Sequence, residues 1–206
     1  MLTKIHFIRH GKTDNPHNIV KGILNSFQLT TCGKNEVKKI GKYLSNKPIN
    51  YIFHSPVKRT EQTAKIIHSF FPEAKLKSDK RLIEWQTDWQ GYKITDIKKM
   101  PEMQWEIYKK DPVKFTKGVK AAQIARQMHG FVKEILKKYP GQEIIAVSHG
   151  DPIKLLRCLL ETGKISSHFH RYKTTQPSIN TMIFNDKHFK KTIYKSFIKN
   201  QSHLLE

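Results

Sequence analysis

A chain of 206 residues is long enough for one α/β domain with a sizeable core and short for two. Its 38 Lys and Arg against 17 Asp and Glu give a formal charge of +21, which favours anionic partners without choosing among them. Two cysteines, Cys32 and Cys158, are too few for a disulfide framework and wrongly spaced for a zinc site, so a reducing, cytoplasmic setting is expected.

No stretch approaches the roughly 20 apolar residues of a membrane span. No secretory signal is expected either, because the apolar run Ile5 to Ile8 is interrupted by His6 and ends in Arg9 and His10. Only six of the positive residues are Arg; the rest are lysines scattered from Lys4 to Lys199. That distribution reads as solvated faces and argues against a dedicated nucleic-acid surface.

In chain order, Lys4 to Arg9 carries a β-branched and aromatic run without helical period, bounded by Gly11, and predicts a central first strand. After a polar loop through Gly33, Val37, Ile40 and Leu44 recur at helical spacing. Tyr51-Ile52-Phe53 is a short buried strand. Ser55 and Pro56 offer an N-cap and a first-turn proline to a helix whose apolar face runs through Ala64, Ile67 and Phe71. From Trp85 to Lys117 the period is weak, prolines stand at 101 and 112, and Trp89, Tyr92, Trp105, Tyr108 and Phe115 crowd the segment. An excursion over the sheet edge at about 85–117, with at most two short helices, is predicted there as a lid.

A long helix at about 120–138 places Ala125, Met128, Val132, Ile135 and Tyr139 on its core side and ends at Pro140-Gly141. Glu143 to Ser148 is another buried strand. Asp151-Pro152 then caps a helix carrying Ile153, Leu156 and Leu159, and Ile179 to Phe184 is a late strand suited to antiparallel pairing with Ile193 to Ile198. Asn200 to Glu206 are expected to fray. The alternation of strand and helix predicts a single α/β domain over residues 1–206, three layers α/β/α around a mostly parallel central sheet, with the lid-like helical excursion inserted.

Ligands of open parallel sheets bind beyond the carboxyl ends of the strands. Three predicted strands end in suggestive residues: Arg9-His10-Gly11-Lys12-Thr13, His54-Ser55-Pro56 leading to Arg59, and Ser148-His149-Gly150. Two histidines and two arginines would then converge on one rim. Phosphoryl transfer through a phosphohistidine asks for this set, because a neutral imidazole attacks phosphorus near pH 7 and guanidinium forks bind the phosphoryl oxygens. A carboxylic acid must protonate the leaving oxygen and later activate water. Glu84, between the apolar pair Leu82-Ile83 and Trp85, is the candidate, since an apolar pocket raises its pKa.

With these residues in order, the sequence resembles the histidine phosphatase superfamily, the phosphoglycerate-mutase-like group, on its phosphatase branch. The resemblance rests on Arg9-His10-Gly11-Lys12-Thr13, the run Ser55 to Ala64 and Val147-Ser148-His149-Gly150, and extends from about residue 4 to 160. It implies His10 as nucleophile, Arg9, Arg59 and His149 as the phosphate pocket, Glu84 as proton donor and Asn15 as a further phosphate contact. It implies no cofactor and no metal, and a small anionic phosphorylated metabolite as substrate. Two features depart from the family pattern. Glu84 to Gly91 lacks the first glycine of the Gly-x-Trp-x-Gly that often follows the glutamate and is one residue short, and Gly118-Val119-Lys120 replaces a frequent Gly-Glu-Ser.

Other readings are open at this level. A mutase of the same superfamily usually has Arg and then Tyr-Gly soon after the glutamate, which Trp85 to Asp88 does not match, so hydrolysis is favoured. Protein phosphohistidine phosphatases are usually shorter and lack the excursion, and an idle polyanion-binding protein is the alternative from another class. Asp151 before Pro152 is read as an N-cap rather than an acid. His168-x-His170 would need a strand to present both rings to a metal, and no acidic cluster adjoins it. Gly11-Lys12-Thr13 is not a nucleotide P-loop, because His6 stands where that loop needs its first glycine. Lys21, Lys93 and Lys114 are candidates to read a second anionic group, and the sequence specifies no oligomeric state.

Overall fold

The computed structural model describes residues 1–198. The region expected to fray, Asn200 to Glu206, lies outside them.

Six strands and six α-helices are arranged as β1 Leu2–Arg9, α1 Thr31–Leu44, β2 Ile49–His54, α2 Lys58–His68, β3 Lys75–Ser78, α3 Ile94–Lys99, α4 Trp105–Lys110, α5 Ala121–Lys138, β4 Glu143–Ser148, α6 Gly150–Thr162, β5 Ser178–Asn185 and β6 His188–Ser196. They form one sheet in the order β3-β2-β4-β1-β5-β6. β1 to β4 are mutually parallel, whereas β5 runs antiparallel to β1 and β6 antiparallel to β5.

Successive side chains of a strand point to opposite faces, and two separate cores follow from this. Ile5, Phe7, Phe53, Ile144 and Ala146 face α5 and α6, meeting Met128, Phe131, Ile135, Ile153 and Leu156. Their neighbours Ile8, Ile52, Ile145 and Val147 point the other way, onto Val37, Ile40 and Leu44 of α1 and Ala64 and Ile67 of α2. The central strands are therefore apolar on both sides, as a sheet covered by helices on both faces requires.

The excursion has an apolar core of its own. Trp85, Trp89, Ile97 and Phe115 pack on Ala121, Ile124, Leu155, Cys158 and Phe169, which fastens the segment to α5 and α6. Trp85 and Trp89 are 3% and 5% exposed, so neither ring is available to stack on a nucleobase. The weak period of this segment reflects two helices of six residues each, too short for a full amphipathic repeat.

Three local expectations are corrected. Ser55 and Pro56 precede α2 without capping it; Val57 is the N-cap, because the Thr60 hydroxyl donates to the Ser55 and Val57 carbonyls and the Ser55 hydroxyl is engaged elsewhere. Asp151 is not the N-cap of α6, which is His149, and Pro152 is tolerated in the first turn because backbone N–H groups there have no intrahelical acceptor. β6 begins at His188, five residues earlier than expected, and β3 had no prediction at all, since Lys75 to Ser78 is mostly exposed and has little apolar pattern. His168 and His170 lie on a 3-10 turn, not a strand, and bond to Ser166 and to the Tyr108 carbonyl respectively.

Candidate active site

β1, β2 and β4 lie side by side and parallel, so their carboxyl ends share one rim, and the residues after each strand meet there. His10 follows β1, its backbone N–H still donating to the Ser148 carbonyl of β4 at 3.2 Å. His149 follows β4. Arg59, in the first turn of α2, reaches them from the connection after β2.

His10 is 1% exposed and its Nδ1 lies 2.8 Å from the Gly11 carbonyl. A carbonyl only accepts, so Nδ1 carries the proton and Nε2 a lone pair. Arg59 agrees independently: its Nε donates to His10 Nε2 at 3.1 Å, which that nitrogen can receive only unprotonated. The Gln176 amide approaches the same nitrogen at 3.4 Å.

His149, fully buried, is fixed in the opposite tautomer. Its Nδ1 accepts from Arg59 Nη2 at 3.0 Å, and Nε2 donates to Ser55 Oγ at 2.9 Å. The two rings stand edge to face with centroids 5.3 Å apart. Burial, followed by the charge of Arg59, holds both imidazoles well below the usual histidine range. Both are neutral at pH 7.

Arg59 is 1% exposed. Besides the two histidines, its Nη2 donates to the Gly22 carbonyl at 2.6 Å and its Nη1 to that of Leu24 at 3.3 Å. Gly22 presents that carbonyl at φ +46°, and a Cβ there would run into the Gln90 side chain. Arg9 donates to the Thr174 carbonyl, while its buried Nε has no partner. Its guanidinium lies against Gly150, where a Cβ would stand 3.1 Å from Arg9 Cζ. A buried guanidinium N–H with no acceptor, near the buried Arg59, is a donor suited to an anion.

Glu84 is brought to the same place by Ser148, whose hydroxyl donates to the Leu82 carbonyl at 2.7 Å and pins the segment to β4. Its Oε1 accepts from the Trp85 N–H at 2.9 Å, and Oε2 stands 3.6 Å from His149 Nδ1 and 3.9 Å from Arg59 Nη2. Burial first, and the Asp151 charge second, push this carboxyl up to about 7 against the pull of Arg59, the Trp85 N–H and Arg9. The site thus joins an unprotonated ring nitrogen, two guanidiniums and a carboxyl titrating near neutrality.

The family model of the histidine phosphatase superfamily, branch 1, matches residues 5–195. The chain belongs to that superfamily. Histidine phosphatases similar to it include phosphoserine phosphatase 1 of Hydrogenobacter thermophilus, 29% identical over 164 residues, which are 77% of this chain and 76% of the relative. A probable phosphoglycerate mutase of Yersinia pestis is 27% identical over 165 residues, 78% of this chain and 74% of the relative. The fold resembles that of Bacillus stearothermophilus YhfR, with a TM-score of 0.83 at 22% identity over 91% of this chain and 94% of that one. As a histidine phosphatase related to both phosphatases and mutases, the protein is a phosphatase or mutase-like phosphoryl-transfer enzyme.

Of the residues singled out in the sequence, Arg9, His10, Arg59, Glu84 and His149 come together. Asn15 does not join their hydrogen bonds. Its amide donates to the Ile19 carbonyl at 2.9 Å and its oxygen accepts from the Ile19 N–H at 3.0 Å, so it shapes the loop after β1. Lys21 does reach the site: burial, then Arg59 and Arg9, lower its amine to about 8, and it donates to Thr13 Oγ1 at 2.7 Å. Lys93 and Lys114 are exposed. Ser55 reads in the sequence as a helix cap rather than as the partner of His149, and Thr174 and Gln176 escape sequence reasoning because nothing in Thr174-Thr175-Gln176-Pro177 marks a site.

Asp151 also belongs here, as Tyr108 of α4 donates to its Oδ2 at 3.0 Å. Among the described residues no group of three or more His, Cys, Asp or Glu is arranged to hold a metal ion, and no helix is long and apolar enough to cross a membrane.

Proposed function

We propose that this histidine phosphatase hydrolyses the phosphomonoester of a small metabolite through a phosphohistidine on His10, without a metal. The observation that carries this reading is the His10 ring, held with its Nε2 lone pair toward Arg59 and supported from behind by the Gly11 carbonyl.

In the first step Nε2 forms a bond to phosphorus as the ester P–O bond breaks. The arriving phosphoryl oxygens take the N–H groups of Arg59 that otherwise donate to His10 and His149, and the unpartnered Nε of Arg9. Glu84, protonated, gives its proton to the leaving alkoxide. In the second step water forms a new bond to phosphorus, the N–P bond breaks, and the water proton goes to Glu84. Burial first, and the charges of Arg59 and Arg9 second, disfavour a protonated His149, and a bound dianion opposes the second of these causes.

The test is hydrolysis of p-nitrophenyl phosphate with chelator present throughout. Wild type is expected to turn over, His10→Ala to lose essentially all activity, and acid-quenched wild type to carry an acid-labile phosphoryl group that the variant lacks. An inert wild type, or an active His10→Ala, contradicts the proposal. Transfer of that phosphoryl group to an added sugar acid in preference to water would move the enzyme to the mutase class.

A further inference from the structure

Next to the phosphate-binding residues lies a cavity of about 110 Å³ lined by Val20, Lys21, Gly22, Glu84, Trp85, Thr87, Trp89, Tyr108 and Asp151. Because Glu84 is part of its lining, the group that leaves the phosphorus and takes the Glu84 proton must sit in it. A space of this size is small beside the roughly 300 Å³ or more of a drug-sized ligand pocket and suits a small leaving group.

Its lining is charged in an unusual way for an enzyme that takes a phosphate dianion. Lys21, from the loop after β1, brings an ammonium held by the Thr13 hydroxyl, and among the described residues no ion pair joins it to a carboxylate. Asp151, from the first turn of α6, brings a carboxylate. Its Oδ2 accepts from the Tyr108 hydroxyl at 3.0 Å and its Oδ1 forms a long ion pair with Lys154 Nζ at 3.7 Å, which leaves Oδ1 without a hydrogen bond. The two do not neutralise each other, since no ion pair joins them.

A carboxylate at the mouth of an anion site repels the substrate's phosphate and weakens binding of every purely anionic ester. That cost is offset when the substrate itself carries a cation. Lys21 by the same logic rewards a substrate with an anionic group besides its phosphate. Tyr108, which lines the cavity and donates its hydroxyl to Asp151, holds that carboxylate in place.

We infer that the cavity is a subsite for a small zwitterionic leaving group, with Lys21 binding its carboxylate and Asp151, steadied by Tyr108, binding its ammonium. The substrate class is then the phosphate ester of a small hydroxylated amino acid. The inference rests on the hydrolase reading only in taking this cavity as the leaving-group side of the site.

Binding separates the two ideas, because it needs no turnover. O-phospho-L-serine, phosphoethanolamine, which lacks the carboxylate, and 3-phosphooxypropionate, which lacks the amine, are titrated calorimetrically into the His10→Ala protein. Phosphoserine is expected to bind at least about tenfold tighter than either analogue, since a site built for a charged group penalises its absence. Added to that background, Lys21→Met should erase the advantage over phosphoethanolamine, and Asp151→Asn the advantage over 3-phosphooxypropionate.

Equal affinities for the three ligands, or tightest binding of the amine-free analogue, overturn the inference, and this comparison does not depend on the variants folding. If the zwitterion fails while wild type still hydrolyses p-nitrophenyl phosphate, the phosphatase reading stands alone. If the zwitterion binds best but no ester is hydrolysed, the subsite stands and the hydrolase reading falls.

Discussion

The two buried histidines have the same residue type and opposite jobs, and their hydrogen bonds say which is which. His10 is protonated on Nδ1 by virtue of the Gly11 carbonyl, and His149 on Nε2 by virtue of Ser55. Arg59 completes both assignments because it can only donate. In the proposed mechanism Glu84 sets the pH behaviour. Its first step needs the protonated carboxyl, and with a carboxyl titrating near about 7 the rate on an alkyl phosphate should fall as pH rises through neutrality. Glu84→Gln is expected to remove that alkaline limb and to slow alkyl esters by about 10²-fold or more, with a smaller loss on p-nitrophenyl phosphate, whose leaving group needs less protonation. A pH–rate profile that keeps its limb in the variant assigns the acid to another residue.

At the scale of elements, the site is the product of strand ends. β1 and β4 pair in parallel from Lys4 with Glu143 through Arg9 with Ser148, so a slip of one residue would separate His10 from His149. The far end of that ladder is held by Glu143, which takes Lys4 Nζ at 2.6 Å and His6 Nε2 at 3.0 Å, while His6 Nδ1 meets Thr181 Oγ1 of β5. The His6 bond, and then Lys4, hold the Glu143 carboxyl down at about 2. A depressed acid stabilises the fold above its ordinary value of 4.5, and that contribution disappears as pH falls toward about 2. Glu143→Gln should therefore lower Tm at pH 7 and flatten its decline between those two pH values, measured by thermal unfolding. An unchanged acid limb would mean that the pair contributes nothing.

At the scale of the molecule, the charge of +21 is spread rather than focused. Exposed lysines stand on α1 at Lys38, Lys39 and Lys42, on α3 at Lys98 and Lys99, on α4 at Lys109 and Lys110, and on β6 at Lys190, Lys191 and Lys195. These lysines stand on several separate elements, so weak and salt-insensitive turnover effects, and no tight polymer binding, are expected of the net field. Turnover at saturating substrate should change less than about twofold between about 50 and 500 mM salt, whereas retention on a nucleic-acid matrix should collapse over the same range. Strong salt sensitivity of kcat would place a screened surface contact in the reaction itself.

The near-continuous apolar runs in Lys4 to Arg9 and Glu143 to Ser148 pointed to a covered parallel sheet, because strands that are apolar on both faces need helices on both sides to bury them. The residues that follow these strands, His10, Arg59 and His149, were legible for the same reason: each stands a fixed few positions after its strand. Tertiary structure alone decided the rest. Ser55 looked like a helix cap and became the partner of His149; Asp151 looked like another and became a wall of the site with Tyr108, 43 residues away in the chain. Hydrogen bonds across such separations leave no periodicity in the sequence. For that reason His10, Arg59 and His149 could be read in the sequence, whereas the places of Ser55, Tyr108 and Asp151 around them were decided only by the fold.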